Sequence, residues 1–105
     1  MAAGPMKMRA MLASAGYTDI RVLMTHPMET GQRKDADGKL VPMHFIQSVI
    51  VKVNGKTVVD CQTSQAVSRN PVFSFRLRGG SKGDKIEVSW VDNKGETNQT
   101  ETAVA

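Results

Sequence analysis

The amino-acid sequence predicts an all-β protein, an antiparallel β-sandwich of about seven strands. Apolar and polar residues alternate with period two along most of the chain, as expected when one face of each strand is buried. Turn-forming residues recur about every 8 to 12 residues, which is the spacing typical of sandwiches. No segment carries a sustained helical stripe of apolar residues with capping residues, so the pattern disfavours long helices.

The first two predicted strands lie in the first quarter of the chain. The apolar face of the first strand consists of Met6, Met8, Ala10 and Leu12. The second strand repeats the alternation in Ile20, Val22, Met24 and His26. Met11 lies on the opposite face of the first strand, so packing in a single core does not explain it. The many early methionines suit either core filling or an adaptable partner interface.

A hairpin is predicted in the middle of the chain. The segment from Phe45 to Val53 is rich in β-branched residues, which favour strands over helices. It leads into Asn54-Gly55, which suits a type I′ turn because both central residues of that turn need positive φ. The segment from Lys56 to Cys61 is therefore the returning strand.

The remaining strands lie between residue 72 and the end of the printed sequence. Alternation gives segments 72–78 and 86–91 one inward face each, made of Phe73, Phe75, Leu77, Ile86, Val88 and Trp90. Because the aromatic residues share these faces with aliphatic ones, we expect them in the core and not on a base-stacking platform. Asp92-Asn93-Lys94-Gly95 supplies a tight turn into the last strand. The short connections require antiparallel pairing, since parallel strands need long crossovers.

Length and charge limit the possible classes of protein. The 105 residues are expected to form one domain (1–105), because half of this length buries too small a core. The chain has 14 Lys and Arg against 10 Asp and Glu, a net charge of +4. Acidic residues interrupt the basic runs, as in Arg33-Lys34-Asp35, so the sequence shows no phosphate-tracking stripe. Its apolar stretches are too short to span a membrane or to form a signal peptide.

The longest connection, from Pro27 to Pro42, is polar and is the first candidate for function, because long loops on rigid sheets are frequently binding sites. Its Asp35-Ala36-Asp37-Gly38 run superficially matches a calcium loop. Aligning Gly38 with the invariant glycine places Arg33 at the first ligand position and His44 at the position of the bidentate glutamate. We therefore interpret the run as a turn.

Three residues of the sequence are candidates for metal binding or redox chemistry. His26 and His44 bracket the polar connection, but two histidines without a third ligand in the sequence only weakly predict a metal site. Cys61 is the only cysteine, and no catalytic Cys/His/Asn signature surrounds it. It is either a small residue at a strand end or a candidate redox-active or intermolecular thiol. No catalytic, cofactor-binding or metal-ligating residue is predicted.

Several motifs resemble one known family. The longest is Met28-Glu29-Thr30-Gly31-Gln32-Arg33-Lys34-Asp35-Ala36-Asp37-Gly38-Lys39. The others are Asn54-Gly55 followed by Val58-Val59-Asp60, then Ser68-Arg69-Asn70-Pro71-Val72-Phe73-Ser74-Phe75, and Trp90-Val91-Asp92-Asn93-Lys94-Gly95. In order and spacing they resemble SoxZ, one subunit of the SoxYZ sulfur-carrier complex of thiosulfate-oxidising bacteria, over nearly the whole chain.

The resemblance implies an immunoglobulin-like sandwich without catalysis or a cofactor of its own. It implies a heterodimer with SoxY, whose C-terminal Gly-Gly-Cys-Gly-Gly arm carries sulfur intermediates between Sox enzymes. The printed sequence contains no such arm. The resemblance also implies a periplasmic location, reached together with a signal-bearing SoxY. No nucleic-acid or membrane partner is expected.

Under this resemblance the polar connection is the candidate surface for transient contacts with Sox enzymes, because weak and repeated contacts suit a mixed-charge loop. The candidate residues are Met28, Glu29, Gln32, Arg33, Lys34, Asp35, Asp37 and Lys39. Two other classes stay open at this point: a small sulfur-handling enzyme that uses Cys61, and a nucleic-acid-binding β-domain.

Overall fold

Seven strands build the two sheets of the protein. A computed structural model describes residues 6–13, 16–64, 67 and 69–105. The strands are β1 (Lys7–Ala13), β2 (Tyr17–Leu23), β3 (Ile46–Val53), β4 (Lys56–Gln62), β5 (Val72–Arg78), β6 (Lys85–Asp92) and β7 (Thr97–Ala103). One sheet has the order β1-β2-β5 and the other β4-β3-β6-β7, with every pairing antiparallel. The predicted immunoglobulin-like sandwich is confirmed.

Period-two alternation decides which side chains fill the space between the sheets. The buried apolar residues are Ala10, Ile20, Val22, Met24, Met28, Ile46, Val49, Val51, Ile86, Val88, Trp90 and Val104. Phe73, Phe75 and Leu77 of β5 are half-buried and pack against them, as predicted. Each fully buried aliphatic side chain contributes about 1.5–3 kcal/mol relative to an exposed one, so this core is the main source of stability.

The predicted middle hairpin is confirmed. Asn54 and Gly55 have φ values of 49° and 85°, the two positive values that a type I′ turn requires. β3 and β4 pair on either side of it, with a register shift between Val51 and Lys52.

The second strand is shorter than predicted. The alternation predicts a strand that continues to His26, whereas β2 ends at Leu23. The reason is that Leu23 pairs with Val72, the first residue of β5, and the sheet ends there. Met24 still donates its amide to the Pro71 carbonyl (3.0 Å) and His26 donates its amide to Asn70 Oδ1 (3.0 Å). Both side chains therefore stay buried beyond the end of the ladder.

The methionines divide between core and surface. Met24 and Met28 are 2% and 5% exposed, whereas Met11 and Met43 are 56% and 41% exposed. Met11 thus lies outside the core, as its place in the alternation predicted.

The part of the chain that the structure describes contains no helix that could span a membrane.

Candidate functional site

The polar connection between β2 and β3 is a backbone-paired hairpin, which we call the hairpin arm (residues 27–44). At its root, the Glu29 and His44 backbones exchange two hydrogen bonds of 2.6 and 3.0 Å. Further out, the Val41 amide donates to the Arg33 carbonyl and the Asp35 amide to the Lys39 carbonyl, each at 2.8 Å. The connection is therefore an ordered extension of the sandwich.

The tip of the arm is a turn organised by one carboxylate. Asp35 Oδ1 accepts hydrogen bonds from the amides of Asp37 (2.9 Å) and Lys39 (3.0 Å). Gly38 has a φ of 78°, a conformation that glycine adopts without strain. The Asp35 carboxylate thus shapes the turn, in agreement with our interpretation of this run.

Three buried side chains hold the root of the arm, and we call them the Asp92 clamp (His26, His44 and Asp92). Asp92 Oδ2 lies 3.0 Å from His26 Nε2 and 2.6 Å from His44 Nε2. All three residues are at most 7% exposed. Glu96 Oε2 adds a contact of 3.2 Å with His44 Nε2. The carboxylate at the end of β6 therefore joins the two ends of the arm.

The turn after β6 orients this carboxylate. Asp92 Oδ1 accepts hydrogen bonds from the amides of Lys94 and Glu96, each at 2.9 Å. The neighbouring Asn93 side chain accepts from the Phe45 amide (2.8 Å) and donates to the Met43 carbonyl (2.9 Å). One tight turn thus anchors both the clamp and the returning end of the arm.

A backbone contact sets the tautomer of His26. The Met28 amide donates to His26 Nδ1 at 3.0 Å, so Nδ1 is the unprotonated acceptor and Nε2 carries the proton that it donates to Asp92. Burial lowers the pKa of His26, and the hydrogen bond to Asp92 opposes this only in part. The ring is therefore held neutral, with its proton directed at the carboxylate.

Asp92 is held in its charged form. Burial by itself raises the pKa of this carboxyl. Hydrogen bonds from His26, His44 and the amides of Glu96 and Lys94 outweigh burial, and the net pKa lies below its ordinary value of 3.8. A buried carboxylate that accepts four hydrogen bonds is a strong structural anchor.

The clamp also has the composition of a metal site, because the ligand atoms of His26, His44 and Asp92 lie within 4.8 Å of one another. The structure thus supplies the third ligand type that the sequence did not reveal. A metal on His26 Nε2 would move the ring proton to Nδ1, where it would face the Met28 amide hydrogen. Metal-binding histidines instead direct their second nitrogen at an acceptor. The geometry therefore favours a hydrogen-bonded clamp over a metal centre.

The predicted partner-facing residues separate into two groups. Met28 and Glu29 are only 5% and 8% exposed, so these two do not belong to the surface that the arm presents, because they lie at its buried root. Residues 32–40 are all exposed. They include the other candidates, Gln32, Arg33, Lys34, Asp35, Asp37 and Lys39, whose contact with partners stays a prediction.

Glu29 instead positions one of those exposed residues. Its carboxylate accepts hydrogen bonds from Arg33 Nε at 3.0 and 2.8 Å and lies 2.6 Å from Arg33 Nη2. The hydrogen bond from Arg33 lowers the pKa of Glu29. The buried acid thus restrains a guanidinium whose side chain is 53% exposed.

Cys61 lies on β4, away from any described group of converging ligands. It is half-buried and packs against the core, and its thiol contacts the Gln62 carbonyl at 3.7 Å. This environment fits the interpretation of a small residue in a strand.

Asp92 was missed in the sequence, although a signal was present. It continues the inward-facing series Ile86, Val88 and Trp90 of β6. A charged residue at an inward position requires buried partners, and the two histidines that bracket the arm are those partners.

The fold and the arm place this protein among immunoglobulin-like β-sandwiches that carry one long, anchored extension. The family described as sulphur oxidation protein SoxZ matches residues 6–103. This chain therefore belongs to the SoxZ family and is a protein of Sox sulfur oxidation. No curated protein matches the sequence.

Solved structures of superoxide reductases share the fold. A superoxide reductase in the oxidised state has a TM-score of 0.67 at 14% identity, and the match covers 100% of this chain and 90% of the reductase chain. The neelaredoxin of Ignicoccus hospitalis has a TM-score of 0.63 at 13% identity, covering 98% and 80%. The neelaredoxin of Archaeoglobus fulgidus in the reduced form has a TM-score of 0.61 at 15% identity, and the match covers 95% of this chain and 88% of the neelaredoxin. At such identities the likeness shows the fold alone.

Proposed function

We propose that this chain is the non-catalytic SoxZ subunit of a periplasmic SoxYZ carrier. In this role it pairs with SoxY and helps to present cysteine-bound sulfur intermediates to Sox enzymes. The observation that carries the proposal is the family match over residues 6–103. Pairing with SoxY and the periplasmic location follow from the resemblance of the sequence motifs.

The hairpin arm supports a presenting role. Its root is held by buried hydrogen bonds, whereas residues 32–40 are exposed. The exposed part carries cations and acids together, namely Arg33, Lys34, Asp35, Asp37 and Lys39. A pre-organised surface lowers the entropic cost of binding, and exposed ion pairs are individually weak. A pre-organised surface that forms weak ion pairs suits protein contacts that form and dissociate repeatedly.

The buried polar groups support a role without catalysis. Both oxygens of Asp92 accept two hydrogen bonds each, from His26, His44 and the amides of Lys94 and Glu96. A carboxylate engaged in this way is not available as a general base.

The direct test is pairing with the SoxY of the same organism. Co-expressed chains are expected to elute together in size-exclusion chromatography, in equal amounts. Separate elution of two folded chains would rule the proposal out.

The arm is tested in the reconstituted pathway. Lys34→Ala with Lys39→Ala removes two exposed cations and is expected to slow thiosulfate oxidation by about fivefold, since two surface charges contribute about 1 kcal/mol to a contact. The matched control is Lys56→Ala with Lys82→Ala, two exposed cations outside the arm. Equal rates for the two double variants would show that the arm makes no such contact.

A further inference from the structure

The outer face of the β1-β2-β5 sheet collects positive charge, and we call it the basic face. Strand register places its side chains in four cross-strand rows. These rows are Lys7, Leu23 and Val72; Arg9, Arg21 and Ser74; Met11, Asp19 and Arg76; and Ala13, Tyr17 and Arg78. Five cations thus share this face with a single acid.

The basic face accounts for the whole net charge of the protein. Five cations and one acid give +4, which equals the +4 of the full chain. The other nine cations and nine acids cancel. The outer face of the second sheet is slightly acidic, with Lys52 and Lys85 against Asp60, Glu87 and Glu101. Cations that are scattered in the sequence are therefore brought together on one face by strand register.

Two of these cations oppose each other without compensation. Arg9 and Arg21 are direct cross-strand partners, an arrangement that destabilises a sheet. No acid among the described residues pairs with either of them. By contrast, Arg76 binds Asp19 at 2.7 and 3.0 Å. An anionic surface that covered the pair would offset the repulsion between Arg9 and Arg21.

The basic face also has the composition of a protein-binding surface. Met11, Leu23 and Val72 are 56%, 45% and 48% exposed between the cations. An open depression of about 700 Å³ on this face is lined by Arg9, Met11, Asp19, Arg21, Ser74 and Arg76 among others. Arginine and methionine are enriched in interfaces, whereas charges are depleted from the core of obligate ones. This composition favours a transient protein contact.

We infer that the basic face is the docking surface for an acidic protein that visits the carrier complex transiently. The choice of a Sox enzyme as this visitor rests on the proposed function. Positive potential on one face raises association rates with an acidic partner by about 10- to 1,000-fold at low salt. Nucleic acid is disfavoured because phosphates gain nothing from the exposed apolar residues. The aromatic residues of β5 also face inward, where no base can stack, and Arg76 lies 5.5 Å from the ring of Tyr17, the aromatic residue in the rows of the basic face.

The experiment measures association of each Sox enzyme of the same organism with the immobilised complex of this chain and SoxY. Arg9→Glu with Arg21→Glu keeps two like charges opposite each other, so its stability stays near that of the wild type. At about 25 mM salt this variant is expected to associate at least tenfold more slowly with one enzyme, a difference that shrinks to about twofold at 500 mM. Lys56→Glu with Lys82→Glu makes the same charge change elsewhere and is the matched control.

A single variant separates binding from folding. Arg9→Glu places opposite charges across β1 and β2, so its thermal midpoint is expected to rise by about 2–4 °C while association slows. Loss of both stability and association would instead mark Arg9 as structural and overturn the inference.

The other outcomes are decisive as well. Equal slowing by the control pair would show an effect of net charge alone. Loss of the SoxY complex in the Arg9→Glu, Arg21→Glu variant would make the basic face the permanent interface. Salt-sensitive binding of a single-stranded oligonucleotide that depends on Arg9 and Arg21 would make the ligand a nucleic acid. Each of these overturns the inference and leaves the proposed function standing, whereas failure of wild-type chains to pair with SoxY overturns the proposed function itself.

Discussion

Replacing Asp92 by Asn is the sharpest test of the clamp, because it removes one charge without changing the size of the side chain. Asp92 Oδ2 now accepts from His26 (3.0 Å) and His44 (2.6 Å), and Oδ1 accepts from the amides of Lys94 and Glu96 (2.9 Å each). An amide keeps one of these oxygens and presents hydrogen atoms in place of the other. Two imidazole N–H groups then face an N–H₂ group.

The cost follows from how the histidines are held. His26 cannot change tautomer, because its Nδ1 accepts the Met28 amide. The variant therefore leaves at least one buried donor unsatisfied, at about 1–3 kcal/mol, and loses charge-assisted hydrogen bonds of about 1.5–3 kcal/mol. We expect a loss of about 3–5 kcal/mol in the free energy of unfolding, a large part of the roughly 5–15 kcal/mol of a small domain.

Urea unfolding at about pH 7.5 measures this loss, with an expected fall in the midpoint of about 1.5–3 M. Trp90 is the only tryptophan, is 1% exposed and lies 5.0 Å from His26 ring to ring, so its fluorescence reports on the core beside the clamp. Asp60→Asn is the matched control, because Asp60 is exposed on β4 and should change stability by less than about 0.5 kcal/mol. A loss below about 1 kcal/mol for Asp92→Asn would refute the hydrogen-bonded clamp.

Three further predictions concern pH, zinc and the cysteine. Burial keeps the pKa of folded His26 below its ordinary value of 6.5, so the unfolded chain binds the proton first and the free energy of unfolding should fall as pH drops below about 6.5. His26→Gln should flatten this dependence in urea titrations, and an unchanged slope would contradict the assignment. Calorimetric titration with zinc should show no saturable binding tighter than about 10 μM, because His26 Nδ1 is an acceptor and not a donor; a tighter site would show that the clamp is a metal centre. Cys61→Ala should leave the rate of reconstituted thiosulfate oxidation within about twofold of the wild type, since the thiol packs against the core, and loss of activity would favour a chemical role for this cysteine.

Much of the fold could be predicted because its determinants are local. Alternation along a strand reports which side chains face the core, and it placed Ile86, Val88 and Trp90 correctly. Asn54-Gly55 specified a hairpin through its two positive φ values. The long polar connection also stood out as a candidate site by its length and composition alone.

The tertiary structure decided how distant segments meet. His26 and His44 lie 66 and 48 residues from Asp92 in the sequence, and only the packing of β6 against the root of the arm shows that one carboxylate serves both. This arrangement changes the arm from a loose polar loop into an anchored one, and it moves Met28 and Glu29 from its surface to its buried root.

The sequence by itself determined the strands, their inward faces and the position of the arm, because each of these depends on neighbouring residues. The basic face and the Asp92 clamp depend on strand register and on the pairing of sheets. Register joins Arg9 to Arg21 and Asp19 to Arg76 across three strands, and no property of one strand predicts which residues of another will lie beside it.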